Sequence, residues 1–530
     1  MRSASIMSFA VAMSRVSGLV REMVMSRLFG ASMPYDAFRI GFQIPNLTRD
    51  LFAEGALSAA FVPAFTDALH NKGREEASRL ANLVSTTLIL VVGLICAMGA
   101  VFSPTLVHLA APGFGQTPGK LELAASLTRI MFPFLLLVAL AAQAMGILNA
   151  LKQFAVPALS STFFNIGSVL TGILLGVVLG PKLGISAIEG MAWGVLVGGA
   201  MQLGFQIPAL IKAGFTFKPT IDFSDPGLRQ ILAMMGPAIL GNAATQINVL
   251  VNSNLASEII DPARGANGPV GWLNYAFRFM QLPLGLFGVA IASATLPAIS
   301  RSAAAANWEE FRRTLSRSLG LVFLLTIPSS VGLVLVGKAM IGAVYQGGKF
   351  EYYDTQQTAV ALSCFAIGLA GYSALKVLSP AFYALKDSRT PMLVSLGSVV
   401  VNYALARTMV DVFHFGHAGL ALSTSGIALF SSITLFLLMR QRIGGLYGRL
   451  LWTSLSKAAV SSLAMAAAVA GILYFAGSWA FVLQLAVAIP VGAIVFYFAA
   501  RALRVEELAM ATDAMAGPLK RRIPFLRGTL

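Results

Sequence analysis

Cysteine is nearly absent from this chain: its 530 residues include two, Cys96 and Cys364, each inside an apolar run. Two isolated thiols build neither a disulfide framework nor a metal site, which leaves them as packing residues. Histidine is almost as scarce, with four. His414 and His417 lie on one short stretch, but no carboxylate or cysteine follows at ligand spacing, so an interfacial turn is favoured over a metal centre. Charge is the largest shortage. Asp, Glu, Lys and Arg make up 11% of the residues, against about 25% in soluble domains, too few to clothe a water-facing surface. No Walker lysine loop, H-E-x-x-H helix or Ser-His-Asp grouping occurs, so ATP hydrolysis and catalysis lack support. The chain is expected not to be an enzyme, and to require no cofactor and no metal.

Hydrophobic residues, at 57%, are abundant and gathered into long runs. Residues 80–119, 230–257, 412–439 and 458–500 contain no Asp, Glu, Lys or Arg. A helix crosses the hydrocarbon in about 20 apolar residues, whereas a barrel strand needs only ~9–11 alternating ones, so continuous runs argue for helices. Apolar runs between Gly, Pro and charged breaks predict an all-α polytopic membrane protein of about fourteen transmembrane helices. They fall near residues 5–29, 36–69, 80–111, 121–149, 158–179, 187–211, 228–257, 270–300, 315–345, 355–385, 391–413, 418–439, 454–475 and 479–503. Arg15 and Arg21 interrupt the first before any clean signal-peptide core, so it reads as a retained helix.

The 38 Lys and Arg against 22 Asp and Glu give a net charge of +16. On this span scheme most of the basic residues fall on the side of both termini, which the positive-inside rule assigns to the cytoplasm. The charge therefore reflects topology and anionic lipid headgroups, and nucleic acid is not an expected partner.

Separate landmarks recur at one fixed offset. Glu75-Glu76 with Arg79 returns as Glu309-Glu310 with Arg313, and Ala150-Leu151-Lys152 with Pro157 returns as Ala384-Leu385-Lys386 with Pro391. With small gaps, Ala37-Phe38-Arg39 echoes Ala276-Phe277-Arg278, and the stretch from Phe52 to Pro63 echoes that from Phe287 to Pro297. Such self-similarity marks an internal repeat. Each copy holds an even number of helices, so both enter the membrane in the same direction, the parallel-repeat transporter plan with a cavity between lobes and alternating access. The expected domains are an N-terminal six-helix lobe at 1–215, a C-terminal six-helix lobe at 226–442, two additional helices at 450–505 and a basic cytoplasmic tail at 506–530.

Charges inside spans are costly, from about 2.5 to over 10 kcal/mol at mid-bilayer, and usually face a cavity or a partner. The first predicted helix carries Arg15 and Arg21; the second carries Asp36, Arg39, Arg49, Asp50 and Glu54, with Pro45 midway; the eighth carries Arg278. Internal pairing accounts for Arg39 with Asp36 and for Asp50. Arg15, Arg21, Arg49 and Arg278 exceed the carboxylates beside them. A surplus of guanidinium groups calls for an anionic ligand, because the planar fork donates parallel hydrogen bonds to phosphate and stays charged. Lys376 is a weaker candidate, and Arg129 and Lys338 are read as snorkelling or packing groups. The seventh helix offers Asn242, Gln246, Asn248 and Asn252 but no carboxylate, which counts against a cation site and leaves the amides as interhelical contacts.

These residues also carry a family resemblance. Ser14-Arg15-Val16-Ser17-Gly18 with Arg21, Pro45-Asn46-Leu47 with Arg49, and the stretch Phe52-Ala53-Glu54-Gly55-Ala56-Leu57-Ser58-Ala59-Ala60-Phe61-Val62-Pro63 resemble the MurJ (MviN) family, as do Gly236-Pro237-Ala238, Tyr275 with Arg278 and Pro283, and Lys376-Val377-Leu378 with Pro380. The similarity runs from about Ser5 to Met439. It implies a bacterial inner-membrane flippase of the multidrug/oligosaccharidyl-lipid/polysaccharide exporter superfamily, moving lipid II to the periplasmic leaflet for peptidoglycan synthesis and cell shape. It further implies that Arg15, Arg21, Arg49 and Arg278 match cavity arginines, that Asn46 and Glu54 match polar positions of the second helix, and that the last two helices form a groove for the lipid tail. Asp36 and Lys376 complete the candidate substrate-binding set. Expected partners are lipid II, membrane lipids and cell-wall synthesis proteins. Phe277 and Gln281 flank Arg278 where relatives can carry acidic residues. The competing functions are export of another lipid-linked oligosaccharide, cation-coupled drug export on the same plan, and a non-transporting scaffold for cell-wall enzymes.

Overall fold

The computed structural model describes residues 2–50 and 57–508, and among them every named element is helical. In chain order these are α1 (Arg2–Phe29), α2 (Met33–Arg49 and again Ser58–Asp67), α3 (Arg74–Val101), α4 (Lys120–Ala150), α5 (Ala155–Val178), α6 (Ala187–Lys212) and α7 (Pro226–Glu258). There follow α8 (Pro269–Ala304), α9 (Trp308–Tyr345), α10 (Tyr352–Ile367 with Leu369–Ala384), α11 (Arg389–Val412), α12 (Gly416–Arg442), α13 (Gly448–Phe475) and α14 (Phe481–Ala502). A helix satisfies its backbone groups within one continuous segment inside lipid, which is why these long apolar runs fold this way.

By length and composition ten of the described helices can cross a membrane, or eleven if the bent pair in α10 counts as one span. The expected fourteen also take in α1, α2 and α7; the described stretches of α2, Met33–Arg49 and Ser58–Asp67, are each too short to be counted, and α7 is diluted by asparagine and glutamine.

Two compact units divide the chain, Met1–Gly271 with Gly347–Phe350, and Trp272–Gln346 with Glu351–Leu530. The first unit takes in α7. Polar contacts hold it there: Ser253 bonds Gln43 of α2 at 2.7 Å, Asn254 donates to the Leu109 carbonyl at 3.0 Å, and the Ser257 hydroxyl accepts from Gly113 N at 3.1 Å.

The repeat is visible in the backbone. The fourth helix of each copy is interrupted at the corresponding place, at Phe132–Pro133 in α4 and at Gly368 in α10, where the halves bend by 44°. The Ser425 hydroxyl satisfies the second break, accepting from Gly368 N at 3.0 Å and donating to the Cys364 carbonyl at 2.7 Å. The fifth helix of each copy ends in a π-helical turn, Leu174–Val178 and Thr408–Val412. After the fourth helix, Lys152 and Lys386 both turn left-handed, at φ 60° and 59°, and the next amides, of Gln153 and Asp387, return to the Leu148 and Phe382 carbonyls at 2.8 and 3.0 Å. A left-handed residue with a side chain costs about 1–2 kcal/mol that glycine avoids. We therefore expect Lys386→Gly to raise the thermal midpoint of the detergent-solubilised protein; an unchanged or lower midpoint would show that the lysine side chain offsets the strain.

In the first unit α5 and α6 approach through small residues. A Cβ on Gly190 would sit 2.3 Å from the backbone of Gly176, and one on Gly194 would sit 2.3 Å from the Ser168 carbonyl, the close contact that packs helices where lipid removes the hydrophobic drive. In the second unit α13 and α14 pack on α9, through Val336, Met465, Val469 and Ala488 at one level and Leu324, Ala458, Ala500 and Val505 at another. Glu507, just beyond α14, is buried and accepts from the Ser454 hydroxyl of α13. Around the short turn between α11 and α12, His414 takes a left-handed φ of 56° and the His417 ring packs 5.0 Å from Trp272 while bonding the Gln357 carbonyl at 3.1 Å. Both histidines serve the turn and its packing.

Candidate functional site

The packing of α5 against α6 sets the position of α1. On α5, Asn165 donates to the Ser17 hydroxyl at 3.1 Å and to the Ser14 carbonyl at 3.3 Å, and its amide lies against Gly18. One turn further along α1, the Arg21 guanidinium lies 5.3 Å from the centre of the Phe164 ring of α5 and 3.1 Å from the Glu22 carboxylate. Both side chains are largely withdrawn, at 16% and 7% exposure. Arg15, on the same helix, is exposed.

On α2 the sequence Arg49-Asp50 folds into a fork. Arg49 donates through Nη2 at 2.8 Å and Nε at 3.2 Å to one oxygen of Asp50, and the other oxygen receives Gln246 of α7 at 3.5 Å. Pro45 on α2 removes one backbone donor a turn before this point. At 24% and 31% exposure the pair is partly buried and keeps an accessible edge. Asn46 is half-buried on the same helix. Glu54 lies outside the described residues.

Asp36 requires correction. Expected among the polar cavity residues, it is completely buried with Lys120 of α4, at 3.0 Å and 0% exposure on both sides. Its two oxygens also accept from Gly268 N at 2.9 Å and Gly271 N at 3.0 Å. Lys120 in turn donates to the Ala266 carbonyl at 2.7 Å and the Asn267 side chain at 3.0 Å, and stands 4.3 Å from the Phe114 ring. With no surface left, Asp36 joins three segments of the first unit and cannot reach a ligand.

In the second unit Arg278 is half-buried on α8, flanked along the helix by Tyr275 and Phe279, which pack on Tyr345 at 4.8 and 5.4 Å. Lys376 is exposed on α10. Arg129 donates to the Ala100 carbonyl at 3.3 Å, and Lys338 to the Tyr352 hydroxyl at 2.6 Å, as expected of snorkelling groups.

Sequence reasoning missed three participants: Lys120, Asn165 and the bridging role of Gln246. Lys120 alone had a signal, since a lone cation opening a run of apolar residues invites a search for a carboxylate. For the two amides no local pattern distinguishes a bridge from ordinary interhelical contact.

Comparison with known proteins agrees with this architecture. The family model described as lipid II flippase MurJ matches residues 25–498. The lipid II flippase MurJ of Burkholderia cenocepacia is 34% identical over 439 residues, covering 82% of each chain. The probable lipid II flippase MurJ of Vibrio cholerae is 35% identical over 444 residues, again 82% of each. Among solved structures, a lipid II flippase MurJ in an inward closed conformation aligns with a TM-score of 0.76 at 26% identity, covering 94% of this chain and 99% of that one. An inward-facing multidrug resistance MATE family transporter of the MOP superfamily shares the fold, with a TM-score of 0.68 at 16% identity over 83% of this chain and 98% of that chain. From the extent of these matches, a family model over residues 25–498 and relatives above 30% identity over 82% of the chain, it follows that the chain belongs to the MurJ lipid II flippase family.

Proposed function

We propose that this protein moves lipid II, the undecaprenyl-pyrophosphate-linked peptidoglycan precursor, from the cytoplasmic to the periplasmic leaflet of a bacterial inner membrane by alternating access, for cell-wall synthesis, with both termini cytoplasmic. The observation that carries the proposal is a family member that keeps half-buried guanidinium groups on its helices, Arg21 and Arg49, each beside a carboxylate. A pyrophosphate accepts the same forked hydrogen bonds as a carboxylate and carries more charge, so it competes for both arginines. Arg15 and Arg278 add positive charge for the same ligand, Asn46 and Glu54 offer polar contacts to the sugars, and Lys376 is a lesser contributor. The polyprenyl tail stays in lipid. Cell-wall synthesis proteins are proposed as partners that supply or consume the precursor. The membrane potential is a sufficient driver in kind, since moving one charge across 100 mV is worth about 2.3 kcal/mol.

Reconstitution tests the proposal. Labelled lipid II in proteoliposomes should change leaflet with the wild-type protein, and depleting the protein from cells should leave lipid II inaccessible from outside. Binding of lipid II without any change of leaflet would support the scaffold reading and overturn this one.

A further inference from the structure

At one end of the second unit, α10, α11 and α12 leave an open cavity of about 510 Å³. Its walls are apolar, formed by Phe382, Leu393 and Leu438, and its polar groups are Thr390, Gln441 and Arg442, at the start of α11 and the end of α12. Asp387 organises that rim. It accepts from Thr390 N at 3.0 Å and the Thr390 hydroxyl at 2.8 Å, and pairs with Arg442 Nη1 at 3.1 Å. The hydrogen bonds from Thr390, helped by Arg442, hold its carboxyl below the usual carboxylate range, so it stays ionised through mildly acid pH. The guanidinium has donors left on Nε and Nη2, and Lys386, Arg389 and Arg440 are exposed on the same turns.

The internal repeat supplies a control. In the first unit the same turn, with Lys152 left-handed and Gln153 N returning to the Leu148 carbonyl at 2.8 Å, continues as Phe154-Ala155-Val156. In the second it continues as Ser388-Arg389-Thr390. At the far corner the returning amides of Gly214 and Phe215 meet Ile211 and Leu210, whereas those of Gly444 and Gly445 meet Gln441 and Arg440. One backbone thus serves both corners, and both carry basic residues, Lys152 and Lys212 in the first copy and Lys386 and Arg442 in the second; the first has Gln153, Ala155 and Val156 where the second has Asp387, Arg389 and Thr390. The turn therefore does not require Asp387, Arg389 or Thr390.

We propose that this corner binds an anionic phospholipid, its phosphate at Arg442 and Arg389 and one acyl chain against Phe382, Leu393 and Leu438. Polar groups at helix ends with apolar walls just inside match the depth profile of such a lipid, and the Lys and Arg bias assigns this end to the cytoplasmic leaflet, where anionic lipids gather. The chain's own C-terminal segment, with Lys520, Arg521 and Arg522, has the wrong sign to occupy it.

The test uses the full chain purified into bilayer discs of mixed phosphatidylglycerol and phosphatidylcholine, with co-purifying lipid counted by native mass spectrometry. Wild type should retain phosphatidylglycerol in preference. Arg389→Gln with Arg442→Gln should lower that retention several-fold and leave phosphatidylcholine unchanged, and Leu393→Trp, which fills the cavity, should lower it with every charge intact. Thermal midpoints near wild type confirm folding, and Lys212→Gln, at the matching corner of the first copy, should have no effect. Undiminished phosphatidylglycerol in the double variant overturns the site. Arginine-dependent binding of inorganic phosphate without any lipid preference overturns the lipid assignment.

Discussion

Arg49→Ala is expected to abolish rescue of a strain depleted of this protein, at membrane abundance close to wild type, and Arg21→Ala to do the same. A hydrogen bond to a charged group is worth about 1.5–3 kcal/mol, so losing one at the transport step slows it by roughly 10- to 150-fold. Arg49 is the sharper case because its fork is built: two of its nitrogens meet one oxygen of Asp50 while Gln246 holds the other. Arg49→Lys keeps the charge and loses the fork, and should rescue only in part. Asp50→Asn removes the competing charge and should still support growth. Immunoblots of membranes alongside the growth assay decide the matter. Disappearance of the protein in Arg49→Ala would assign the arginine to folding, and full rescue would remove it from the site.

The largest effect on stability is expected at Lys120. Removing one member of a buried ion pair strands the other, at about 3–5 kcal/mol, and here both side chains are at 0% exposure. Lys120→Met should leave the Asp36 carboxylate with two backbone donors and no counter-charge. It should depress the thermal midpoint strongly and cut membrane abundance. Adding Asp36→Asn removes the stranded charge and should recover most of the loss. A wild-type midpoint for Lys120→Met would show that the pair is dispensable.

Much of this was legible in the order of residues. Hydrocarbon crossing needs an uninterrupted apolar run, a property of contiguous sequence, so most helix ends from Leu80 onward could be placed within a few residues, while charged or polar first turns such as those of α3, α9 and α13 begin earlier than the apolar run shows. The repeat was equally open, since Lys152 and Lys386 each follow Ala-Leu and precede a proline five residues on, and both prove to occupy the same left-handed turn. The arginines announced themselves by the cost of their surroundings. What resisted reading was partnership. Asp36 has Arg39 three residues along its own helix, the natural local choice, yet the structure gives it Lys120, 84 residues away. The contacts of α7 were hidden for the same reason: Ser253, Asn254 and Ser257 bond residues more than one hundred positions earlier.

The sequence by itself determined a polytopic helical membrane protein, its duplicated plan, and an excess of guanidinium groups on helices where charge is expensive. These follow from local hydropathy and from one repeated spacing. Tertiary structure alone decided which partners the buried charges take. Asp36 went to Lys120, and Asp50 to Arg49 and Gln246, because side chains in a helical bundle pair across helices whose neighbours are set by packing, such as the glycine contacts of α5 with α6, and not by distance along the chain.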